Sequence, residues 1–281
     1  MFGCEVTRKT VAHVDLNTGD VMPMVGLGVA LSGDETTSSV RDAIEHGYRL
    51  IDTAKAYGNE KEVGEGIRQS GIAREDIFIT TKLSVPDMEA GLVREAFELS
   101  LERLGVDYID LYLLHWPVVK QIEKSWKVLE ELYKKGLIRN IGVSNFQIHH
   151  LKAMEEYINV VPAVNQIECH PLLVQEELRS YCTKKGIINE AWSPLGRALI
   201  FDEPILKQLA VKYEKTVAQI VLRWHIQNGT VVVPKSTSVE RIVENNQIYD
   251  FELSKEDMER ITSMNKNHRF GSDPDNFHFD V

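Results

Sequence analysis

Eight short apolar or β-branched runs recur along this chain, alternating with stretches of helical spacing. The runs are Met24–Val29, Arg49–Thr53, Ile77–Lys82, Tyr108–His115, Arg139–Ser144, Ala163–His170, Gly186–Trp192 and Thr230–Pro234. Helical patterns fall near 36–47, 60–70, 88–104, 120–135, 147–157, 174–184 and 216–228. In 88–104, Leu92, Ala96, Leu99 and Arg103 recur at helical spacing, Leu101 and Leu104 widen the stripe, and Gly105 supplies a stop. Eight such units with no linker between them favour one α/β domain over residues 1–281, a (β/α)8 barrel, rather than two domains. A chain of 281 residues, 43% of them hydrophobic, can fill a core of that size.

The alternation Val11–Pro23 reads as a β-hairpin turning at Asn17–Asp20, placed to cap the barrel's lower end. Helical patterns at 203–214 and 254–265 exceed the eight-helix requirement and are expected on the outside. Gly26-Leu-Gly28 follows the first strand as a dinucleotide-binding turn would, but the next glycine is Gly33, so the G-x-G-x-x-G spacing fails. A tight exit from the strand is the alternative use of these glycines.

A net charge of −10 and a pI of 5.4 disfavour nucleic acid and anionic membranes as partners, while leaving room for a local basic pocket. No apolar run approaches the ~20 residues of a membrane span, and the opening MFGCEVTRKTVAHVD lacks the apolar stretch of a secretory signal. Cys4, Cys169 and Cys182 are isolated and odd in number, which argues against a disulfide framework or cysteine metal site. The expectation is a cytoplasmic monomer acting on a small molecule, with no nucleic-acid or membrane partner.

In a (β/α)8 barrel, polar residues at the carboxyl ends of the strands face the active site. Here Asp52, Lys82 and His115 end the second, third and fourth strands, Ser144-Asn145 end the fifth, and Asn165-Gln166 lie on the sixth. Trp192-Ser193 end the seventh and Lys235-Ser236 the eighth. Singly, each has an ordinary use as a helix cap, a snorkelling cation or a core histidine. Three titratable ends in succession on burial-seeking strands are harder to explain that way. Phe78, Thr80 and Lys82 share one strand face. If that face points inward, the Lys82 ammonium needs a counter-charge, and Asp52 on the neighbouring strand is the candidate.

Seven runs carry a further signal: Asp52-Thr-Ala-Lys-Ala-Tyr57, Thr80-Thr-Lys82, Leu111-Tyr-Leu-Leu-His115-Trp-Pro117, Gly142-Val-Ser-Asn-Phe146, Asn165-Gln-Ile-Glu168, Ala191-Trp-Ser-Pro-Leu195 and Val233-Pro-Lys-Ser236. In order, and over nearly the whole chain, they resemble the aldo-keto reductase family, above all its short bacterial and protozoan members that reduce keto acids, glyoxals or a prostaglandin endoperoxide. The resemblance implies NADPH-dependent reduction of aldehydes or ketones. It assigns Tyr57 as general acid, with Lys82 expected to lower a phenol pKa that is ordinarily about 10. Asp52 would keep Lys82 charged, and His115 would orient the carbonyl. Ser144, Asn145 and Gln166 would hold the nicotinamide carboxamide and Trp192 would stack on the ring. Ser193 and Leu195 would lie along the pyrophosphate, with Glu244 and Asn245 near the adenine. Lys235, Ser236 and Arg241 would surround a 2′-phosphate, which favours NADPH over NADH.

Ala30 and Ser84 stand where such relatives carry large aromatics, so a wider substrate pocket, with Trp116 on its wall, is expected. The loop from Pro117 to Ile122 and the tail Gly271–Val281 are short. Glu190, two residues before Trp192, should share its inward face; whether it pairs with Lys82 or another buried cation is left open. His149-His150, and Cys169-His170 beside Glu168, offer no third ligand at suitable spacing, so no metal is expected. Two other functions compete: a Schiff-base aldolase barrel using Lys82, and a non-catalytic NADPH-sensing binding subunit. A protonated Lys82 opposes the first, and the complete set Asp52, Tyr57, Lys82 and His115 opposes the second.

Overall fold

The computed structural model describes residues 7–277, so Cys4 lies outside the described residues. The N-terminal alternation folds into two antiparallel strands, β1 (His13–Asp15) and β2 (Val21–Pro23), with His13 opposite Pro23 and Asp15 opposite Val21. Leu16 and Met22 pack against Leu50, Phe78 and Leu111, and the Asn17 side-chain amide donates to the Pro162 carbonyl at 3.0 Å. The hairpin therefore plugs the lower end.

The barrel strands are β3 (Leu27–Gly28), β4 (Leu50–Asp52), β5 (Phe78–Leu83), β6 (Ile109–Leu114), β7 (Ile138–Ser144), β8 (Val164–Glu168), β9 (Ile188–Trp192) and β10 (Val231–Val232). Each runs parallel to its neighbour in chain order. Closure comes from parallel bridges of Val25 to Val232 and Gly28 to Lys235, with Gly26 N–H donating to the Val232 carbonyl at 2.9 Å. A Cβ on Gly28 would stand 2.7 Å from the Val233 carbonyl oxygen. Gly28 thus serves the approach of first and last strands, as a glycine in a strand often does.

Around the barrel lie α1 (Thr36–Glu45), α2 (Glu60–Ser70), α3 (Val85–Ala90), α4 (Val93–Leu104), α5 (Ile122–Lys134), α6 (Ile148–Met154), α7 (Glu176–Lys184), α8 (Pro204–Tyr213), α9 (Val217–Gln227), α10 (Val239–Asn246) and α11 (Lys255–Thr262). The pattern expected as one helix over 88–104 is two, because Gly91 takes φ +73° and ends α3. Helix α10 was not expected as an element; at 8 residues it is short for a periodicity to show. Helices α8 and α11 are the two expected additions.

Alternation along β5 and β6 sorts side chains between two cores. Phe78, Leu111 and Leu113 fill the barrel, while Ile79, Tyr112 and Leu114 meet the helices. Each such buried side chain contributes roughly 1.5–3 kcal/mol of hydrophobic stabilisation. Beneath them the buried Asp110 carboxylate is held by Arg8 at 2.8 Å, Arg74 at 2.6 Å and the Ile79 N–H at 3.0 Å. With both cores occupied, the free end of the barrel is the upper one. No helix among the described residues is long and apolar enough to cross a membrane.

Candidate active site

At the upper end the strands deliver their polar residues to one place. The Lys82 ammonium, fully buried, lies 2.8 and 2.9 Å from the two oxygens of Asp52 and 2.8 Å from the Thr53 carbonyl. This is the pairing expected from the strand-face argument. Burial alone would lower the lysine pKa, but Asp52, Tyr57 and Glu190 together outweigh it and hold the value above the ordinary one.

Immediately after β4 the chain makes a short turn, Lys55–Tyr57, closed by Gly58 at φ 69°. Asn59 pins this turn to two strands, accepting from the Thr53 hydroxyl at 2.8 Å and donating to the Val29 carbonyl at 2.9 Å. The Tyr57 ring is thereby fixed 5.2 Å from the Lys82 nitrogen and edge-on to His115, with centroids 5.8 Å apart. Burial raises the phenol pKa, Lys82 pulls it down, and Asp52 and Glu190 push it up; the net result lies above the ordinary tyrosine value. Lys82 acts in the expected direction, lowering the phenol pKa, but desolvation is the larger effect and the net shift is upward. His115 is driven down to about 3 by burial and by Lys82, so it is a neutral imidazole.

These groups open onto a cavity of about 580 Å³. Asp52, Tyr57, His115, Trp116, Ser144, Asn145, Gln166 and Trp192 line its inner end, with Ala30 on the rim. Trp192 Nε1–H donates to Asn145 Oδ1 at 2.8 Å, Asn145 Nδ2–H to the His115 carbonyl at 3.0 Å, and the Ser144 hydroxyl to the Gln166 carbonyl at 2.9 Å. An indole wall with amides beside it suits a flat ring bearing a carboxamide. The other end is lined by Ser193, Leu195, Lys235, Arg241, Glu244 and Asn245, and also by Arg197. Among the described residues, none of Arg197, Lys235 and Arg241 is in an ion pair. Three cations gathered at one end of a cavity, in a chain of net charge −10, mark an anion site.

Over residues 25–266 the sequence matches the Aldo/keto reductase family. The chain belongs to the aldo/keto reductase family. It is 51% identical to glyoxal reductase of Bacillus subtilis (strain 168) over 268 residues, 95% of this chain and 97% of that one. It is 46% identical to a methylglyoxal reductase of Escherichia coli (strain K12), covering 94% of this chain and 97% of its relative. An aldo-keto reductase of Bombyx mori, solved in complex with NADP, superposes with a TM-score of 0.89 at 36% identity, over 94% of this chain and 96% of that one. The protein is an oxidoreductase with the (β/α)8 architecture of its relatives.

Besides the fully buried Lys82, which reaches the site through Asp52, two residues expected in this aldo-keto reductase's site stand apart from the cavity lining. Ser84 caps α3, its hydroxyl meeting the Asp87 N–H and carboxylate, with Lys55 on the same carboxylate at 2.6 Å. Ser236 is buried and folds its hydroxyl back onto the Ser238 carbonyl at 3.2 Å. Arg197 is the residue that sequence reasoning missed; a cation just beyond Ser193 and Leu195 was the available signal. Glu168, suspected only beside a metal reading, instead accepts from the Phe270 N–H at 2.7 Å and from Gly271 N–H at 3.1 Å, tying down the C-terminal segment. That segment's Phe277 packs on Trp116, centroids 4.9 Å apart, supplying an aromatic where Ala30 and Ser84 do not.

For His149 and His150 the fold does bring in a third potential ligand, Asp275, all within 4.8 Å. Sequence spacing could not show this. His150 Nδ1, however, accepts from the Gln147 backbone N–H at 3.1 Å, which puts the ring proton on Nε2 and leaves no lone pair facing Asp275.

Proposed function

We propose that this reductase converts small aldehydes or ketones to alcohols with NADPH, the proton coming from Tyr57. The observation that carries this reading is one cavity lined by Tyr57, His115 and Asp52, the last paired with the buried Lys82, and also by the cations Arg197, Lys235 and Arg241. When bound, NADPH supplies the hydride. Trp192, Asn145, Ser144 and Gln166 would hold its nicotinamide end, and Lys235 and Arg241 its 2′-phosphate, as charge-assisted hydrogen bonds favour.

The protein's task is then to place the carbonyl and manage one proton. Tyr57 and His115 face each other edge-on, so a carbonyl oxygen set between them meets a phenol O–H and a neutral imidazole N–H. A phenol held above its ordinary pKa is fully protonated near neutrality, as a general acid must be. As charge builds on the oxygen, the Lys82 cation steadies the phenolate that Tyr57 becomes, and Asp52 keeps that cation in place. A Schiff-base role for Lys82 needs a free amine; here the nitrogen is buried among three acceptor oxygens. Tyr57→Phe should lower kcat by roughly 10²–10⁴-fold with NADPH affinity unchanged, read from nicotinamide absorbance and calorimetry. Full activity in this variant would sink the assignment.

The two relatives act, by name, on glyoxal and methylglyoxal, and the cavity is lined at position 30 by a small alanine. Both support small dicarbonyls as the substrate class. A cytoplasmic, monomeric enzyme is in keeping with free Cys169 and Cys182 and the acidic surface.

A further inference from the structure

Glu190 takes no part in the transfers just described, yet it is a fully buried carboxyl in the barrel interior, on β9. Its Oε2 accepts from Gln166 Nε2 at 2.9 Å, and the same nitrogen donates to Asp52 Oδ2 at 2.7 Å. Two carboxyls therefore share one amide nitrogen, while the cluster holds one cation, Lys82. The other Glu190 oxygen has no hydrogen-bond partner among the described residues. An ionised carboxylate with a bare oxygen and no cation of its own is among the costliest groups a protein interior can hold. The charged and titratable groups that act on it are Asp52 on β4, Tyr57 on the following turn and Lys82 on β5, with Gln166 on β8 and the apolar Val231 opposite it on β10. His115 is already neutral, and Lys82 is held by Asp52. One proton on Glu190 makes the cluster electrically neutral.

We propose that Glu190 is a redox-linked proton site: the neutral acid when the cofactor is NADPH, ionised when it is NADP⁺. The proposal rests on the nicotinamide lying against Gln166 and Trp192, as above. Reduced nicotinamide is uncharged and leaves the balance of the cluster intact. Oxidised nicotinamide brings one positive charge to the cavity wall at Gln166, whose amide is bonded to the buried Glu190 behind it, and so favours the carboxylate. The step balances as Glu190 carboxylic acid plus NADP⁺ giving the carboxylate with bound NADP⁺ and one proton released to solvent. Burial and Asp52 set the Glu190 pKa at about 8 in the cofactor-free protein, close enough to neutrality for one charge to tip it.

The test is calorimetry of NADP⁺ and NADPH binding to the full-length protein at pH 7.5, in two buffers of different ionisation enthalpy. NADP⁺ should release roughly half a proton or more beyond any change seen with NADPH. Glu190→Gln, isosteric with the acid, should erase that difference; Glu190→Leu serves equally if the glutamine variant does not fold. The NADP⁺-to-NADPH affinity ratio should rise several-fold between pH 6.5 and 8.5 in the wild type and stay flat in the variant. Equal proton uptake for both cofactors, or a difference that survives Glu190→Gln, overturns the proposal while leaving the reductase reading intact. Failure of both cofactors to bind overturns both.

Discussion

At the scale of single residues, desolvation and charge compete in one small volume, and the sign of each outcome matters. Tyr57 and Lys82 are both held above their ordinary values, one chiefly by burial and the other by its carboxylate partners. Glu190 is raised to about 8, with burial the main cause and Asp52 second. Because this acid binds its proton more tightly when folded, the folded state holds more protons than the unfolded one between about pH 4.5 and 8. Its contribution to stability is therefore complete below that window and is lost as pH rises through it. In the cofactor-free protein, Glu190→Gln should melt progressively higher than wild type as pH goes from 5 to 8. Melting curves across that range check this; a constant offset would mean that Glu190 does not titrate there. No residue pattern announced this glutamate's partners, because Gln166 and Asp52 reach it from other strands.

At the scale of elements, short segments carry the cationic end of the cavity. Lys235 follows β10, a strand of two residues, and Arg241 lies in the first turn of α10. Their placement depends on closure of the barrel, where Gly28 and Lys235 form the bridge between first and last strands. Lys235→Ala and Arg241→Ala should each weaken NADPH by roughly tenfold or more, as loss of a charge-assisted phosphate contact does, and NADH by under about twofold. Fluorescence titration of both cofactors decides it; equal losses would remove the 2′-phosphate from this end. The strand ends were legible in sequence, since Asp52, Lys82 and His115 each interrupt an apolar run. Ser84 has a local role that the periodicity hid: it caps α3, a helix inside a longer periodic stretch that Gly91 breaks.

For the molecule as a whole, buried histidines set the acid limit. His115 and His225 are both held neutral down to about 3, by burial first, with Lys82 acting on one and Arg179 on the other. The unfolded chain takes up these protons near pH 6.5, so stability is present above that value and is lost as pH falls from 6.5 toward 3. The slope is on the order of 1 kcal/mol per pH unit for each histidine. Since Glu190 acts in the opposite direction above pH 6.5, the cofactor-free protein should be most stable near that value. Urea midpoints measured from pH 4 to 9 should peak there, and His225→Gln should flatten the acid side. A midpoint that climbs steadily to pH 9 would contradict both assignments.

The sequence by itself determined the number and order of strands, the plug hairpin, the Asp52–Lys82 pairing and the family, because these follow from local periodicity and from motifs contiguous along the chain. Tertiary structure alone decided what distant segments share: the closure through Gly28, the bond from Gln166 to both Asp52 and Glu190, and the clamp of Glu168 on Phe270 and Gly271. It also decided the direction of the Tyr57 shift. A sequence shows which charges are near, but how much water the fold removes around a phenol depends on every element that closes over it.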